Sequence, residues 1–312
     1  MMNLTSPSQV KAWCIDNEFH PNRTLGQNFL IDKNILDSIV AVSGVTPQSR
    51  VLEIGPGLGV LTQALLATGA EVVAVEKDSR LAQRLAGALE HPAKLQVHCA
   101  DALELPLDSF LATGALASGL AEKSCVSEPY FDCCVSNLPY SVGTRILINL
   151  VRHPLGPARI TILVQTEVAE RLAAQENHEA RGLAGVWTQL DYEVRLVRTV
   201  HASCFWPRPE VGSTVVHLQR KPSALSPAER CWFYALTRSA FLHRRKQIGS
   251  TLRKATAPIG CEEAEVLSRF EEAHIDPKRR AETLTHAEWC TLTRIYAARC
   301  GELHQAEGDY VV

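Results

Sequence analysis

Ser136-Asn137-Leu138-Pro139-Tyr140 is a short segment whose residue types suit one kind of chemistry. An exocyclic adenine amine is a poor nucleophile because its lone pair is delocalised into the ring. Two acceptors, the Asn137 side-chain oxygen and the Leu138 carbonyl, could take its hydrogens and favour a pyramidal nitrogen. The lone pair would then face an electrophilic carbon for in-line displacement. Pro139 stiffens the loop, and the Tyr140 ring offers a π-face to a base taken out of its stack. Neither an acid–base dyad nor a metal is needed, and no cluster of metal-ligating residues accompanies the segment. The plainer alternative is a turn leading into a helix near Ser141.

A second constellation begins at Val51-Leu52-Glu53-Ile54-Gly55-Pro56-Gly57-Leu58-Gly59, an apolar strand ending in a glycine turn. Glycine is needed where the backbone turns through positive φ or approaches a ligand without a Cβ in the way, and Gly55 opens that turn. The dinucleotide fingerprint is G-x-G-x-x-G, whereas here the spacing is G-x-G-x-G and Val60 occupies the third place. Glu76 ends the next apolar run, placed to accept two ribose hydroxyls. Asp101 follows the third run, where a carboxylate can accept from an adenine amine. Acids and glycines at three consecutive strand ends, on one edge of one sheet, imply a nucleoside-bearing ligand. NAD and S-adenosylmethionine both remain open on this spacing; the latter needs less phosphate capture and more room for an amino-acid moiety and a sulfonium.

These residues require a parallel sheet to bring them together. Short apolar runs at Val51–Ile54, Glu71–Val75, Leu95–His98, Phe131–Ser136 and Arg159–Gln165 alternate with helical patterns at Asp32–Ser43, Val60–Thr68, Ser79–Leu89 and Ser141–Val151. That alternation predicts βαβ units and a doubly wound, mostly parallel α/β sheet. Tyr192–Val200 and Ser213–Leu218 are strand-like with no clear helix between them, and are expected as an antiparallel pair at one edge. Residues 111–129, rich in small residues, read as an inserted surface loop. After Lys221-Pro222-Ser223 the strand signal stops, and helices are expected at Ala228–Leu242, Gln247–Ala255, Cys261–Ala273 and His286–Ala298. Ser226 and Glu229 have capping-box spacing with Pro227 at the first helical position. The expected domains are therefore 1–221, with a helical segment at its start, and a small all-helical 222–312.

The chain has 312 residues and a formal net charge of −2. No run of 18 apolar residues is present and no secretory signal is recognisable, so neither membrane insertion nor export is expected. Ten cysteines without a C-x-x-C pair fit reduced thiols and a cytoplasmic address. Near-neutrality hides an uneven distribution: Arg238, Arg244, Arg245, Lys246, Arg253 and Lys254 fall in a stretch with no acid. A charge run of this kind is either a solvated helix face or a phosphate-contacting surface.

The segments Leu25-Gly26-Gln27-Asn28-Phe29-Leu30, LEIGPGLG, NLPY, Val164-Gln165-Thr166-Glu167-Val168-Ala169-Glu170-Arg171 and Phe205-Trp206-Pro207-Arg208-Pro209 occur in the order seen in the rRNA adenine N6,N6-dimethyltransferases. The chain resembles that family from about Gly26 to Leu284, most closely the members acting on small-subunit rRNA. The resemblance implies a Rossmann-like S-adenosylmethionine-dependent methyltransferase with a helical C-terminal domain. It also implies that Asn28 and Leu30 line the methionine side of the cofactor, with Gly55, Glu76, Asp101 and Asn137 completing its contacts. Asn137, Leu138, Pro139 and Tyr140 would be catalytic, and Phe205 would stack on the target adenine opposite Tyr140. Arg244, Arg245 and Lys246, in a segment similar to the family's F-x-x-R-R-K, would contact RNA. The implied partner is 16S rRNA in the 30S subunit or its precursor, dimethylated at two neighbouring adenines by a protein monomeric off the ribosome, with no metal. Departures from the family pattern are Asn22-Arg23-Thr24-Leu25 before the first motif, Glu210 for Lys, Gly212 for Asp, and a longer 111–129 loop. A large-subunit rRNA methyltransferase would differ in its RNA substrate, a non-catalytic assembly factor would not need intact NLPY and cofactor motifs, and an NAD oxidoreductase is disfavoured by Val60 and NLPY.

Overall fold

The computed structural model describes residues 4–22, 26–88, 93–104, 130–255, 259 and 263–300. The expected 111–129 insertion, Arg23, Thr24 and Leu25 lie outside these residues. The chain divides into two compact units, Met1–Ala169 with Val194–Arg220, and Glu170–Glu193 with Lys221–Val312.

The first unit is built on the expected alternation. In chain order it contains α1 (Pro7–Asp16), β1 (Phe29–Leu30), α2 (Lys33–Ser43), β2 (Arg50–Ile54), α3 (Val60–Ala67), β3 (Glu71–Glu76), α4 (Ser79–Ala88), β4 (Leu95–Cys99), β5 (Cys133–Asn137), α5 (Gly143–Arg152) and β6 (Arg159–Gln165). Then follow α6 (Thr166–Ala173), α7 (Leu183–Asp191), β7 (Tyr192–Val200), β8 (Phe205–Trp206) and β9 (Ser213–Arg220), of which α7, the second half of α6 and the first two residues of β7 fall in the second unit. The main sheet has the order β4-β3-β2-β5-β6-β9-β7. The pairs β2–β3, β3–β4, β2–β5 and β5–β6 are parallel, and β9 runs antiparallel to β6. The edge expected from Tyr192–Val200 and Ser213–Leu218 is thus present. Strands with nearly continuous burial, such as Val51 to Ile54 and Val72 to Glu76, explain the unbroken apolar runs: helices cover both faces of a parallel sheet. A second, two-stranded sheet pairs β1 with β8, setting Phe29 opposite Trp206 and Leu30 opposite Phe205.

Local signals set the helix ends. Asp32 accepts from the Ile35 N–H at 3.1 Å at the start of α2, and Gly44 ends it in the left-handed conformation. Ile35, Leu36 and Ile39 bury the face that their spacing predicts. The helix expected from Ser141 begins two residues later, because the Pro139 carbonyl first takes the Val142 and Gly143 N–H groups in a turn.

The second unit contains α8 (Pro227–Phe241), α9 (Ile248–Arg253), α10 (Glu263–Glu272) and α11 (His286–Cys300). The capping box of Ser226 and Glu229 forms with Pro227 in the first turn. Glu170–Glu193 joins these helices rather than the sheet unit into which the sequence reading placed it. The reason is Trp187, fully buried, whose Nε1 donates to the Thr237 hydroxyl at 2.8 Å and whose ring meets Tyr234 edge-on. Asp191 forms a buried ion pair with Arg230 at 2.6 Å.

Candidate active site

The sheet order reverses between β2 and β5: β3 and β4 follow on one side of β2, and β6 follows on the other side of β5. A crevice opens at the carboxyl ends of parallel strands at such a switch point. Here the β2–β5 ladder is registered at Val51–Cys133 and Leu52–Cys134, and further along the Ile54 N–H donates instead to the Ser136 hydroxyl at 2.9 Å. The glycine turn after β2 and the NLPY turn after β5 therefore leave the sheet side by side. They border a cavity of about 340 Å³, lined also by Asn28, Leu30, Glu53, Glu76 and Asp101.

Close packing shapes its walls. Gly59 has φ +87°, and a Cβ there would come within 2.4 Å of Leu85. Gly26 has φ +68°, and its Cβ would meet the Tyr140 nitrogen at 2.9 Å. Only glycine tolerates both the conformation and the approach, so the first motif lies directly on the NLPY turn.

The carboxylates are held as a set. Glu76, 7 % exposed, accepts from the Gly57 N–H at 3.0 Å and the Asp78 N–H at 2.9 Å. Burial raises its pKa against these hydrogen bonds. Glu53, inside β2, is fully enclosed; burial pushes its carboxyl up to about 8, with Thr62 hydrogen bonds opposing and Glu76 adding to the rise. Asp101 is partly desolvated, which opposes ionisation. The Lys77 ammonium at 2.6 Å and the Leu103 N–H nevertheless hold its pKa below the usual value. The Glu76 and Asp101 carboxyl groups suit ribose hydroxyls, an amine and a cationic sulfonium and disfavour a pyrophosphate, whereas Glu53, protonated in its enclosed position, adds no charge. These residues fit S-adenosylmethionine better than a dinucleotide.

Asn137 supplies a further test of fit. Its Nδ2 donates to the Asn28 carbonyl at 3.0 Å, which fixes the orientation of the amide. Its Oδ1 is buried and has no hydrogen-bond partner among the described residues. An orphaned acceptor in a native interior calls for a ligand donor. Leu138 is buried and anchored by its N–H to the Leu163 carbonyl at 3.2 Å. Pro139 and Tyr140 line the cavity, and the Tyr140 hydroxyl lies 2.5 Å from that of Ser213.

One expectation needs correction, and one residue has a further, structural contact. Phe205 does not reach the cavity: it is 2 % exposed and packs among Leu30, Leu163, Val200 and Val215 in the core. Its pairing with Leu30 in the small sheet draws the ring inward, so it has no free face for an adenine. Arg244, expected only as an RNA contact, lies in the exposed turn between α8 and α9, but its Nη2 donates to the Glu179 and Arg181 carbonyls at 3.0 and 2.6 Å. Arg245 and Lys246, in the same turn, are exposed with no side-chain partner among the described residues. Sequence reasoning missed Lys77 and Ser213. Lys77 directly follows Glu76, but nothing local marks its reach to Asp101, 24 residues on. Ser213 lies 73 residues from Tyr140.

Comparison with known proteins agrees with this geometry. Residues 18–298 match the family model described as ribosomal RNA adenine dimethylase. The chain is 39 % identical over 295 residues to a ribosomal RNA small subunit methyltransferase A of Opitutus terrae, covering 93 % of this chain and 98 % of the relative. It is 38 % identical over 277 residues to the protein of the same description from Clostridium perfringens, covering 88 % and 90 %. The crystal structure of a dimethyladenosine transferase from Plasmodium falciparum superposes with a TM-score of 0.69 at 22 % identity, covering 86 % of this chain and 96 % of that one, a likeness of fold. The chain belongs to the ribosomal RNA adenine dimethylase family, whose members are S-adenosylmethionine-dependent methyltransferases.

Proposed function

We propose that this protein dimethylates the N6 amines of two adjacent adenines in small-subunit (16S) rRNA, acting in the cytoplasm on the 30S particle or its precursor. The observation that carries the chemistry is the buried, unpaired Asn137 Oδ1, oriented by the Asn28 carbonyl. The small-subunit assignment is supported by relatives of that description along nearly their whole length.

Glu76 would take the ribose hydroxyls, Asp101 the adenine amine of the cofactor, and Asn28, Leu30 and Gly55 would border its remaining atoms. S-adenosylmethionine bound there supplies an electrophilic methyl group on a sulfonium. Asn137 Oδ1 and the Leu138 carbonyl accept the hydrogens of the target amine and localise its lone pair. Tyr140 supports the flipped base on one side, and the core position of Phe205 leaves that task to Tyr140 among the two expected aromatics. Each transfer forms one N–C bond, breaks one S–C bond and releases one proton from the amine to solvent. Arg245 and Lys246, with the donors of Arg244 not engaged at Glu179 and Arg181, would neutralise phosphates without reading sequence.

Incubation with labelled S-adenosylmethionine and 30S subunits lacking the modification tests the reading. N6,N6-dimethyladenosine in 16S rRNA is the expected product. Label absent from 30S material but present in naked large-subunit rRNA would overturn the assignment.

A further inference from the structure

Tyr140 is restrained at two places. At its backbone, the Pro139 carbonyl accepts from Val142 and Gly143, and Gly26 packs against the Tyr140 nitrogen. At its far end, the phenol oxygen lies 2.5 Å from Ser213 Oγ, at the short limit for a hydroxyl pair. Ser213 itself is completely buried and opens β9. Its register partner across the sheet is Gln165, and the neighbouring Gly212 carbonyl takes the Thr166 N–H at 3.0 Å. Gly212, where the resembled pattern has Asp, thus holds the start of β9 through its backbone. The main sheet dictates where Ser213 Oγ stands.

We propose that Ser213 is a positioning residue that holds the Tyr140 ring in the attitude needed to retain the target base through its second methylation. The inference rests on the reading of Tyr140 as the ring that supports the base. An aromatic side chain anchored only at Cα can swing about its first two torsions. One tethered also at its hydroxyl keeps its long axis in a constant direction and cannot tilt away. Burial raises the Tyr140 pKa, against the hydrogen bond with Ser213, so the phenol stays neutral and either hydroxyl can donate in this contact. The demand is greatest after the first transfer. The monomethylated amine has one hydrogen left and must offer it to one of the two acceptors while its lone pair is aimed again. A ring free to tilt lets that base leave half-modified. The tether therefore governs the division between monomethyl and dimethyl products.

The test uses the full chain, unmodified 30S subunits and S-adenosylmethionine, comparing wild type, Ser213→Ala, Tyr140→Phe and the double variant. Steady-state rates, the ratio of mono- to dimethyladenosine, and affinity for S-adenosylhomocysteine are measured. Loss of one neutral hydrogen bond predicts a kcat about 3- to 10-fold lower in each single variant. Monomethyladenosine should accumulate, with cofactor affinity within about twofold of wild type. The double variant should match either single variant, because both remove the same contact. Ser213→Cys, which keeps a weak hydrogen-bonding group at that place, should recover part of the dimethyl product.

A wild-type product ratio in Ser213→Ala overturns the inference, as do losses that multiply in the double variant. If Ser213→Ala does not fold, a wild-type rate and product ratio in Tyr140→Phe have the same consequence. If the wild-type protein leaves 30S adenines unmethylated, the proposed function fails instead, which separates the two failures.

Discussion

Asn137 and Arg245 both stand where a regular element gives way to a turn, in opposite surroundings. Asn137 closes a buried strand at the switch point of the sheet; its amide nitrogen is committed to Asn28 and its oxygen is left for a ligand. Arg245 lies between two helices with its side chain in solvent. The first region can act through preorganisation, since its dipoles are set before substrate arrives and desolvation strengthens each contact. The second can act through long-range charge, which needs little geometry but is weakened by salt. One region should therefore control turnover and cofactor affinity, and the other should control affinity for RNA and its salt dependence.

The largest effect that separates the two is expected at Asn137. Asn137→Ala should lower kcat on 30S subunits by about 10²–10³, the scale for removal of one preorganised polar group. Binding to 30S particles should be little changed in a filter-binding assay. A wild-type kcat would remove the amine-positioning role and with it the distinction between the regions. Glu76→Ala comes next: loss of a charged acceptor predicts an affinity for S-adenosylhomocysteine about 10- to 100-fold weaker by calorimetry. The same variant should bind 30S subunits normally. Equal losses of cofactor and 30S binding would show a general collapse of the unit.

The basic turn yields a smaller and more diagnostic change. Arg245→Ala and Lys246→Ala should each weaken 30S binding and flatten the plot of log affinity against log salt by on the order of one unit of slope. Arg244→Ala should instead lower the melting temperature more than its neighbours do, because two backbone carbonyls at Glu179 and Arg181 lose a donor. If all three variants change slope alike with equal melting temperatures, the structural share assigned to Arg244 is wrong.

The last expected effect is on stability alone. In the folded protein Glu53 keeps its proton to about pH 8, while in the unfolded chain it ionises around its ordinary value of 4.5. More protons are bound in the folded state between these values, so this group's contribution to stability declines as pH rises from 4.5 to 8. Glu53→Gln should gain on wild type across that window, by at most about 1.4 kcal/mol per pH unit in chemical denaturation. A pH-independent difference would mean that the carboxyl is ionised in its enclosed position.

Much of the architecture was legible because parallel sheets leave strong local marks. Arg159–Gln165 and Tyr192–Val200 match their expected strands end to end, since each apolar or β-branched run is bounded by a change of pattern. The capping box at Ser226 is a local arrangement of two side chains and two backbone groups, and so was readable from four residues. Three helices gave weaker signals. Every residue of α7 from Gly185 to Asp191 is buried, so it has no polar face to reveal a helical period. Helix α6 begins at Thr166, directly after β6 ends at Gln165, with no Gly or Pro to separate them. Helix α1 buries only Val10 and Cys14 within itself.

Residue types and their order determined which groups this protein can bring to chemistry: the glycine turn, Glu76 and Asp101 at strand ends, and NLPY with its amide and ring. These are local properties, set by backbone freedom, ionisation and the period of burial. Tertiary structure alone decided how those groups are used. It gave Asn137 one occupied and one orphaned end, tethered Tyr140 to Ser213, turned Phe205 into the core and drew Arg244 toward backbone carbonyls. Each decision depends on a partner brought in by the folded chain, and a hydrogen bond or packed face exists only when both sides arrive at the same place.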